Sequence, residues 1–231
     1  MESKIIYIAD DEKKIQDLIK MFLQKEGYNV EVFSDGSTLL QSFNEKKADM
    51  LIIDIMMPNL DGLELCSEIR KESNVPIIII SAKDSDGDRI AGLSLGSDDY
   101  MTKPFSPVEL VLRVNSIFRR MKFQNTKSIN QDSIHILDVF IHPEAHSAIC
   151  RDKDLKLTPM EFNLLLYLAK KVNKGVSREE LLNKVWGYES EVDTRSTDDM
   201  IKRIRKKLAN LDSSLKIETL WGFGFMISNK D

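Results

Sequence analysis

Short apolar runs alternate with amphipathic segments along the first half of the chain. Such runs favour strands that are buried on both faces of a parallel sheet. They predict strands over residues 4–9, 29–33, 50–54, 76–81 and 99–102. The helical spacing of apolar residues predicts a helix between Glu12 and Gly27, and further helices over 36–45, 63–71, 88–95 and 107–120. Five strands alternating with five helices predict an α/β fold with a doubly wound, five-stranded parallel sheet.

Polar residues stand where these predicted strands end. Asp10 and Asp11 follow the first strand, Asp54 ends the third, Ser81 ends the fourth, and Lys103 follows the fifth. A lone aspartate at a strand end is most often a cap for the next loop. However, the carboxyl ends of parallel strands share one edge of the sheet, where ligands of such folds bind. The convergence of polar ends therefore predicts a functional site there.

Three carboxylates in one small site require compensation. Two unit charges about 4 Å apart repel by roughly 4 kcal/mol at an effective dielectric near 20. Either one carboxylate is protonated or a divalent cation lies among them, and an open all-oxygen site suits Mg²⁺. Lys103 would add a positive charge and Ser81 a hydroxyl donor for the same bound oxygens. The site would hold a phosphoryl group on a carboxylate nucleophile, with Asp54 as that nucleophile because it ends the central strand.

The second half of the chain has a different pattern. Residues 121–132 are polar and lack large apolar runs, which predicts a linker between domains spanning 1–120 and 133–231. Weak β-like stretches over 134–141, 148–151 and 155–157 predict a small antiparallel sheet. Capping boxes at Thr158–Glu161 and Ser177–Glu180 open two predicted helices, the second running through Trp186. An α+β domain is expected.

A third helix in this half is basic on one side. Thr197, Ile201, Ile204 and Leu208 share its apolar face, and Ser196 with Asp199 is a credible cap. The basic residues on or beside the opposite face are Arg195, Lys202, Arg203, Arg205, Lys206 and Lys207. A solvated basic face is the common case for a lone helix. On the last helix of a three-helix unit, it also fits a recognition helix in a DNA major groove.

Charge and composition separate the two halves further. The chain has 231 residues and a net charge of −4. Residues 1–120 carry 15 Lys and Arg against 21 Asp and Glu, giving −6; residues 121–231 carry 18 against 16, giving +2. The halves therefore have different expected partners. Cys66 and Cys150 lack metal-ligand spacing, and no apolar run approaches a membrane span, so we expect a cytoplasmic protein with reduced thiols and no membrane partner.

Several motifs of the first half resemble the receiver domain of bacterial two-component response regulators, which has a flavodoxin-like fold. They are Asp10-Asp11, Asp54 with Pro58 and Asp61-Gly62, Ser81-Ala82, and residues 100–105. The resemblance implies that a sensor histidine kinase donates a phosphoryl group to Asp54. It also implies Mg²⁺ ligation by Asp11, Asp54 and the Met56 carbonyl, with Asp10 acting through a ligand water. Ser81 and Tyr100 would form a switch pair, and the Lys103–Pro104 bond would be cis.

Charged residues surround an apolar centre on the predicted face formed by helix 88–95, strand 99–102 and helix 107–120. The charged members are Arg89, Asp98, Asp99, Glu109, Arg113 and Arg120, and the apolar members are Ile90, Leu93 and Val111. Unrelated surface ion pairs are the simpler interpretation. The positions resemble the face through which OmpR/PhoB-type receivers dimerise, which implies a two-fold homodimer on phosphorylation.

Motifs of the second half resemble the winged-helix DNA-binding domain of the same OmpR/PhoB family. They are residues 157–162, 176–182, 185–188, 193–195, 204–208 and 222–225. The resemblance implies double-stranded promoter DNA as partner, with RNA polymerase as a further candidate. Lys202, Arg203 and Lys206 would contact the major groove, and Arg195 and Arg205 the phosphates. Arg203 is the best candidate for a base contact, since arginine binds guanine bidentately.

The predicted wing departs from the family pattern. Thr219-Leu220-Trp221-Gly222 stands where the family commonly has Thr-Val-Arg-Gly, so a minor-groove arginine is absent. Trp221 either packs against the sugar-phosphate edge of DNA or anchors the hairpin, and we expect the anchor. Minor-groove recognition of A·T pairs should then contribute little.

Two other functions are compatible with parts of the pattern. A regulator that works without phosphorylation would need only the DNA-binding half, but Asp54, the acidic pair and Lys103 are all intact. A Mg²⁺-dependent phosphohydrolase using Asp54 would need a second general acid, which the sequence does not offer. The sequence therefore favours a phosphorylation-dependent response regulator and transcription factor over both.

Overall fold

The computed structural model describes residues 3–82, 96–126, 133–186 and 195–229. The chain separates into two compact units, Met1–Val114 and Asn115–Asp231. Among the described residues, no helix combines the length and hydrophobicity of a membrane-spanning segment.

The first unit is built on a five-stranded parallel sheet, as predicted. Its strands are β1 (Ile5–Ala9), β2 (Asn29–Phe33), β3 (Met50–Asp54), β4 (Ile77–Ser81) and β5 (Asp99–Thr102), in the order β2-β1-β3-β4-β5. Its helices are α1 (Lys13–Lys25), α2 (Gly36–Glu45), α3 (Gly62–Glu72) and the start of α4 (Pro107–Thr126), which continues into the second unit from Asn115. The predicted helix over 88–95 lies outside the described residues. Every residue of β3 and β4 is buried, which explains why their sequences show no polar alternation.

The sheet register aligns the polar strand ends. Ala9 of β1 lies opposite Ile53 of β3, and Asp54 lies opposite Ile80 of β4. Ser81 lies opposite Thr102 of β5. Residues that follow these strands therefore meet at one edge of the sheet, near the point where the strand order reverses between β1 and β3.

Helix α4 is longer than its sequence pattern predicts. It continues past Arg120 to Thr126 and so includes the first six residues of the predicted linker, 121–132. Residues 121–126 contain neither glycine nor proline, so nothing in them stops a helix. Residues 127–132 lie outside the described residues, and the linker remains a prediction.

The second unit is α+β. A four-stranded antiparallel sheet consists of β6 (Ile134–Ile136), β7 (Val139–His142), β8 (Ser147–Cys150) and β9 (Lys153–Asp154). The single stretch expected over 134–141 is a hairpin, because Leu137 adopts a φ of 53° and turns the chain. The strand expected at 155–157 does not form. Lys156 has a φ of 49°, which extended backbone does not allow.

Three helical segments and a second sheet complete this unit. The helices are α5 (Pro159–Ala169), α6 (Arg178–Leu181), which continues as a π-helical turn to Trp186, and α7 (Arg195–Asn210). Strands β10 (Val176–Ser177), β11 (Ile217–Leu220) and β12 (Gly224–Ile227) pair in the order β10-β12-β11. The β11–β12 hairpin is the wing of a winged-helix fold. The predicted apolar face of α7, Thr197, Ile201, Ile204 and Leu208, is buried in the unit's core.

Candidate functional site

An acidic cluster lies at the carboxyl edge of the parallel sheet, as predicted. One carboxylate oxygen from each of Asp10, Asp11 and Asp54 lies within 4.8 Å of the others. Asp10 and Asp54 are buried, whereas Asp11 is exposed. The cluster is therefore sunk into the sheet edge and open to solvent on one side.

Backbone amides orient the two buried carboxylates. The Glu12 N–H donates to Asp10 Oδ1 at 2.8 Å, and the Met56 N–H donates to Asp54 Oδ1 at 3.1 Å. Each carboxylate thus has one oxygen fixed by the loop that follows its own strand. The other oxygen of each is directed to a shared partner, Lys103.

Lys103 bridges the two buried carboxylates. Its Nζ donates to Asp54 Oδ2 at 2.5 Å and to Asp10 Oδ2 at 2.9 Å, and it lies 3.3 Å from Glu12 Oε1. The Lys103–Pro104 peptide bond is cis, as the resemblance implied. Burial alone would lower the pKa of Lys103, but its hydrogen bonds to Asp54 and Asp10 raise that pKa overall, so the ammonium stays charged.

The surroundings of Asp10 act in opposite directions on its carboxyl group. Burial raises the pKa of Asp10, and the hydrogen bonds from Lys103 and the Glu12 amide offset only part of that rise. The negative charge of Asp54 raises the Asp10 pKa further. The charged form of Asp10 is therefore electrostatically unfavourable, although hydrogen bonds from Lys103 and the Glu12 amide hold the carboxylate in place.

The cluster fits a divalent cation. Three carboxylates and one ammonium give the four groups a formal charge of −2, and the three carboxylates offer only oxygen atoms as metal ligands. Hard cations such as Mg²⁺ prefer oxygen ligands and retain several waters, which the exposed side at Asp11 allows. The predicted ligand role of the Met56 carbonyl remains a prediction.

The loop after Asp54 is shaped by Gly62. A Cβ at this position would lie 2.1 Å from the Asp54 carbonyl oxygen, so only glycine allows the loop to close on the strand end. The Gly62 N–H donates to the Ile55 carbonyl at 3.0 Å. Asp61 caps α3 by accepting from the N–H groups of Leu63 and Glu64. Asp61 and Gly62 therefore position the loop after Asp54 from outside the cluster.

Gln16 supports the cluster and was missed by sequence reasoning. Its Nε2 donates to the Asp10 carbonyl at 2.5 Å and to the Phe33 carbonyl at 3.0 Å. It thereby ties the ends of β1 and β2 to α1 and fixes the backbone that carries Asp10. The helical spacing could have identified it, because Gln16 is a polar residue on the same buried side of α1 as Ile19.

Ser81 and Tyr100 lie on adjacent strands, β4 and β5. Ser81 is fully buried, and the Tyr100 ring lies in the core cluster that includes Ile77 and Ile79. Both side chains are therefore placed inside the unit, next to the edge that carries Asp54. Their role as a switch pair remains a prediction.

Part of the predicted dimer face is internal. Asp98 is fully buried and accepts from Arg70 Nη2 and the Ile77 N–H, each at 2.9 Å. Its carboxylate stabilises the start of β4 and is not available as a rim charge. Sequence could not show this because Arg70, on α3, is far away in the chain. Of the other members, Arg89, Ile90 and Leu93 lie outside the described residues, and so does the Arg120 side chain.

The remaining charges of this face pair with one another. Arg113 Nη1 donates to both Asp99 oxygens at 2.8 Å, and its Nη2 donates to Glu109 Oε1 at 2.6 Å. Val111 is only 8% exposed, whereas Val108 and Leu112 are 57% and 59% exposed. The exposed apolar residues lie three positions before and one position after Val111, and because they are four residues apart they share a neighbouring line of the α4 surface.

The basic helix α7 divides into exposed and internal cations. Lys202 and Lys206, four residues apart, are exposed as predicted. The Arg203 side chain is only 10% exposed, and its Nε lies 3.3 Å from Glu161 Oε1. Its Nε and Nη1 are buried without a hydrogen-bond partner. This placement does not support Arg203 as a base contact. The side chain of Arg195 is outside the described part of the chain.

Glu161 of α5 holds α7 in place. This buried carboxylate completes the predicted capping box by accepting from the Thr158 N–H at 2.9 Å. It also accepts from Lys207 Nζ at 2.6 Å and pairs with Arg203. The buried Glu161 carboxylate thus pairs with two cations of the basic helix, Arg203 and Lys207. The sequence had indicated only its role in the capping box.

Arg205 joins α7 to the wing. Its Nε and Nη2 donate to the Ile217 carbonyl at 2.8 and 2.5 Å, and Nη2 donates to Thr219 Oγ1 at 2.9 Å. Burial lowers the pKa of Arg205, although arginine remains charged. The guanidinium is used within the protein, so the predicted phosphate contact by Arg205 is not supported.

Trp221 does not anchor the hairpin, and that expectation was wrong. The side chain is 93% exposed. The anchors are Leu220 and Phe223, which pack on the backbone at Gly175. A Cβ there would lie 2.6 Å from Leu220 Cδ1 and 3.1 Å from Phe223 Cε1.

Comparisons with known proteins agree with this architecture. Residues 6–115 match the family of response regulator receiver domains, and residues 152–227 match the family described as transcriptional regulatory protein, C terminal. The chain is 40% identical to the uncharacterized transcriptional regulatory protein YclJ of Bacillus subtilis (strain 168). That match extends over 221 residues and covers 95% of this chain and 97% of the relative.

The solved structures that are similar to the chain include DrrB and a receiver domain from Francisella. DrrB, described as a Thermotoga maritima OmpR/PhoB homolog, is 29% identical with a TM-score of 0.53, over 98% of this chain and 100% of DrrB. The receiver domain of the Francisella response regulator 1452 is 44% identical with a TM-score of 0.50, and the match covers 52% of this chain and 99% of that domain.

Proposed function

The chain belongs to the OmpR/PhoB-type response regulators, and from this premise we propose that it is a phosphorylation-controlled transcription factor. A sensor histidine kinase would phosphorylate Asp54, and the winged-helix unit would bind promoter DNA. The observation that carries the proposal is the Lys103 ammonium bridging Asp54 and Asp10 within an acidic cluster at the sheet edge. The three carboxylates outweigh the single ammonium, so a divalent cation would compensate the site, and Lys103 would then be available for the oxygens of a phosphoryl group.

The chemistry assigns one role to each group. A carboxylate oxygen of Asp54 attacks the phosphorus of a phosphohistidine; the new O–P bond forms as the P–N bond breaks, and the leaving imidazole nitrogen takes a proton from solvent. Lys103 turns its ammonium from the Asp54 carboxylate to an oxygen of the transferred group. Ser81, at the end of the next strand, donates its hydroxyl to another of these oxygens.

Mg²⁺ is the proposed cofactor. Asp11 and Asp54 would hold it directly with the Met56 carbonyl, and Asp10 would act through a bound water. Its chemistry is to neutralise charge on the phosphoryl oxygens during transfer. The open side of the cluster at Asp11 leaves room for the ligand waters that Mg²⁺ retains.

The winged-helix unit is the proposed DNA-binding part. Lys202 and Lys206 form an exposed pair on α7 and would enter or border the major groove. Arg195, at the start of α7, is proposed to contact a DNA phosphate. Because Arg203 and Arg205 are used internally, we expect the lysines to carry most of the salt-dependent binding from this helix.

Dimerisation of the first unit would couple the two functions. A two-fold contact through β5 and α4 could use the exposed Val108 and Leu112 as its apolar part, beside the Glu109–Arg113–Asp99 pairs. Two joined winged-helix units would bind repeated half-sites through increased effective concentration, without new base contacts. RNA polymerase is a further proposed partner, and the cytoplasm is the proposed location.

Intact-mass spectrometry after incubation with a small-molecule phosphodonor tests the proposal. With Mg²⁺, wild type should gain one phosphoryl group, and Asp54→Asn or omission of Mg²⁺ should prevent this. Phosphorylated wild type should then bind a duplex enriched from a random-sequence library more tightly than Asp54→Asn. Equal duplex binding by both proteins would favour the phosphorylation-independent alternative instead.

A further inference from the structure

The guanidinium group of Arg205 bridges two acceptors on a neighbouring strand. Its Nε and Nη2 donate to the Ile217 carbonyl at 2.8 and 2.5 Å, and Nη2 also donates to Thr219 Oγ1 at 2.9 Å. Both acceptors belong to β11, at the edge of the three-stranded sheet. This geometry requires an arginine, because the single ammonium of a lysine does not form a planar fork of donors.

A buried aromatic ring holds the same guanidinium from another side. Phe225 of β12 is 1% exposed, and its ring centroid lies 5.9 Å from Arg205 Cζ and 4.8 Å from Arg178 Cζ. Cations within about 6 Å of a ring centroid are attracted to the negative charge on the face of the ring. Guanidinium groups from α6 and α7 therefore meet at one ring.

Arg178 extends this arrangement to the first turn of α7. Its Nε and Nη2 donate to the two carboxylate oxygens of Asp198, each at 2.8 Å. Asp198 and Arg205 are seven residues apart, so they lie on the same side of the helix, about two turns from each other. That side of α7 is therefore fixed at two points, by Arg178 through Asp198 and by β11 through Arg205.

The two fixed points lie on either side of Lys202. This exposed lysine comes four residues after Asp198 and three before Arg205, and the exposed Lys206 follows one turn later. The two lysines are the cations of α7 proposed to bind DNA, and both must reach the duplex together. A helix whose direction is already fixed loses less conformational freedom when it binds.

We propose that Arg205 is a positioning residue for DNA binding, which fixes the direction of α7 against β11 and does not itself contact DNA. This inference rests on the proposed DNA-binding function. It adds a cation that increases affinity without neutralising a phosphate, so its contribution does not depend on salt concentration.

Anisotropy titrations of the full-length protein test this role. The probe is a fluorescent duplex enriched by the wild-type protein from a random-sequence library. Arg205→Met should weaken binding about tenfold, because α7 must then be ordered when the duplex binds. The slope of log affinity against log salt concentration should equal the wild-type slope. Lys202→Met should instead reduce the magnitude of that slope by about 0.9, since a phosphate contact is lost.

Arg205→Lys separates the charge of the side chain from its fork of donors. This variant should bind nearly as weakly as Arg205→Met, because an ammonium cannot bridge the Ile217 carbonyl and the Thr219 hydroxyl. Lys153→Met, which removes an exposed cation from β9 of the same unit, is the matched control and should leave affinity unchanged. Full affinity of Arg205→Lys, with a reduced salt slope for Arg205→Met, would assign Arg205 to a phosphate contact and overturn the inference.

Thr219→Val tests the same contact while leaving every cation in place. It removes the Oγ1 acceptor and keeps the branched shape of the side chain, so it should weaken duplex binding less than Arg205→Met does. Added to Arg205→Met, it should have no further effect, because the two residues act through one contact. Additive losses in the double variant would show that they act separately and would count against the proposal.

Thermal unfolding separates positioning from stability alone. Affinities are compared at a temperature where circular dichroism shows each variant to be folded. A lower thermal midpoint with unchanged affinity would make Arg205 a structural residue only and reject the inference. If Arg205→Met does not fold, Arg205→Lys and Thr219→Val alone provide the test. No binding of wild type to any duplex would instead overturn the proposed function itself.

Discussion

At the residue scale, the negative charge of Asp10 destabilises the folded state. Burial raises its pKa, and the negative charge of Asp54 contributes in the same direction. A raised pKa means that the folded protein binds the proton more tightly than the unfolded chain. Stability from protonated Asp10 is therefore present at acidic pH and is lost as pH rises through the folded-state pKa.

We expect Asp10→Asn to raise the free energy of unfolding near neutral pH without added Mg²⁺. The amide removes the desolvation cost and the repulsion with Asp54, while Lys103 keeps its bond to Asp54. The difference from wild type should shrink as pH falls, since wild-type Asp10 then becomes protonated. Urea unfolding at several pH values measures this. Exposed Asp11→Asn is the control, with a smaller gain, and a less stable Asp10→Asn near neutral pH would contradict the expectation.

The sequence was sufficient to predict the acidic cluster with Lys103, and insufficient to predict where the cationic side chains of α7 lie. Asp10, Asp54 and Lys103 could be placed because parallel strands bring their carboxyl ends to one edge. Helical periodicity gives the direction of a Cβ but not where a long side chain ends. Arg203 starts beside Lys202 on the helix surface, yet its guanidinium reaches Glu161 in the interior.

At the element scale, the α5–α7 contact depends on one buried carboxylate. We expect Glu161→Gln to lower the free energy of unfolding of the second unit by about 3 kcal/mol, because it leaves Arg203 buried without an anion. Glutamine preserves the side-chain shape and can still cap α5. Denaturant unfolding of the full chain, followed by Trp186 fluorescence, is the measurement. Exposed Glu179→Gln serves as the control, and a loss below about 1 kcal/mol would mean that the pairing is energetically minor.

Helix α4 carries the exposed apolar pair proposed for the dimer. Leu112→Glu should reduce dimer formation by beryllofluoride-treated protein at least about tenfold, since it places a charge in the contact. Phosphorylation of Asp54 should be unaffected. Met21→Glu changes an exposed apolar residue of α1 and should leave dimerisation unchanged. Analytical ultracentrifugation compares the two variants; equal dimer constants would move the interface away from this line of α4.

Elements of the first unit were predicted well because their strands have a simple physical signature. Fully buried parallel strands such as β3 and β4 appear as continuous apolar runs. Short antiparallel strands lack this signature. Leucine and lysine are not typical turn residues, so the sequence did not predict the turn at Leu137 or the positive φ at Lys156. As a result, the prediction missed the hairpin over 134–141 and expected a strand at 155–157 that does not form.

At the scale of the whole molecule, an acidic unit with a proposed phosphoacceptor site is joined to a DNA-binding unit that carries a basic helix. The charge difference of the two halves, −6 against +2, follows the difference between their proposed partners, a divalent cation with a phosphoryl group and a nucleic acid. The link between the two functions is the proposed dimer, which requires occupancy of Asp54 to change a surface formed by β5 and α4.

Size-exclusion chromatography with light scattering tests this link most directly. Wild type and Asp54→Asn are compared with and without Mg²⁺ and beryllofluoride, which mimics a phosphoryl group on aspartate. We predict a shift from monomer to dimer mass for wild type only when Mg²⁺ and beryllofluoride are both present, and no shift for Asp54→Asn. The same mass for both proteins under all conditions would contradict phosphorylation control through dimerisation.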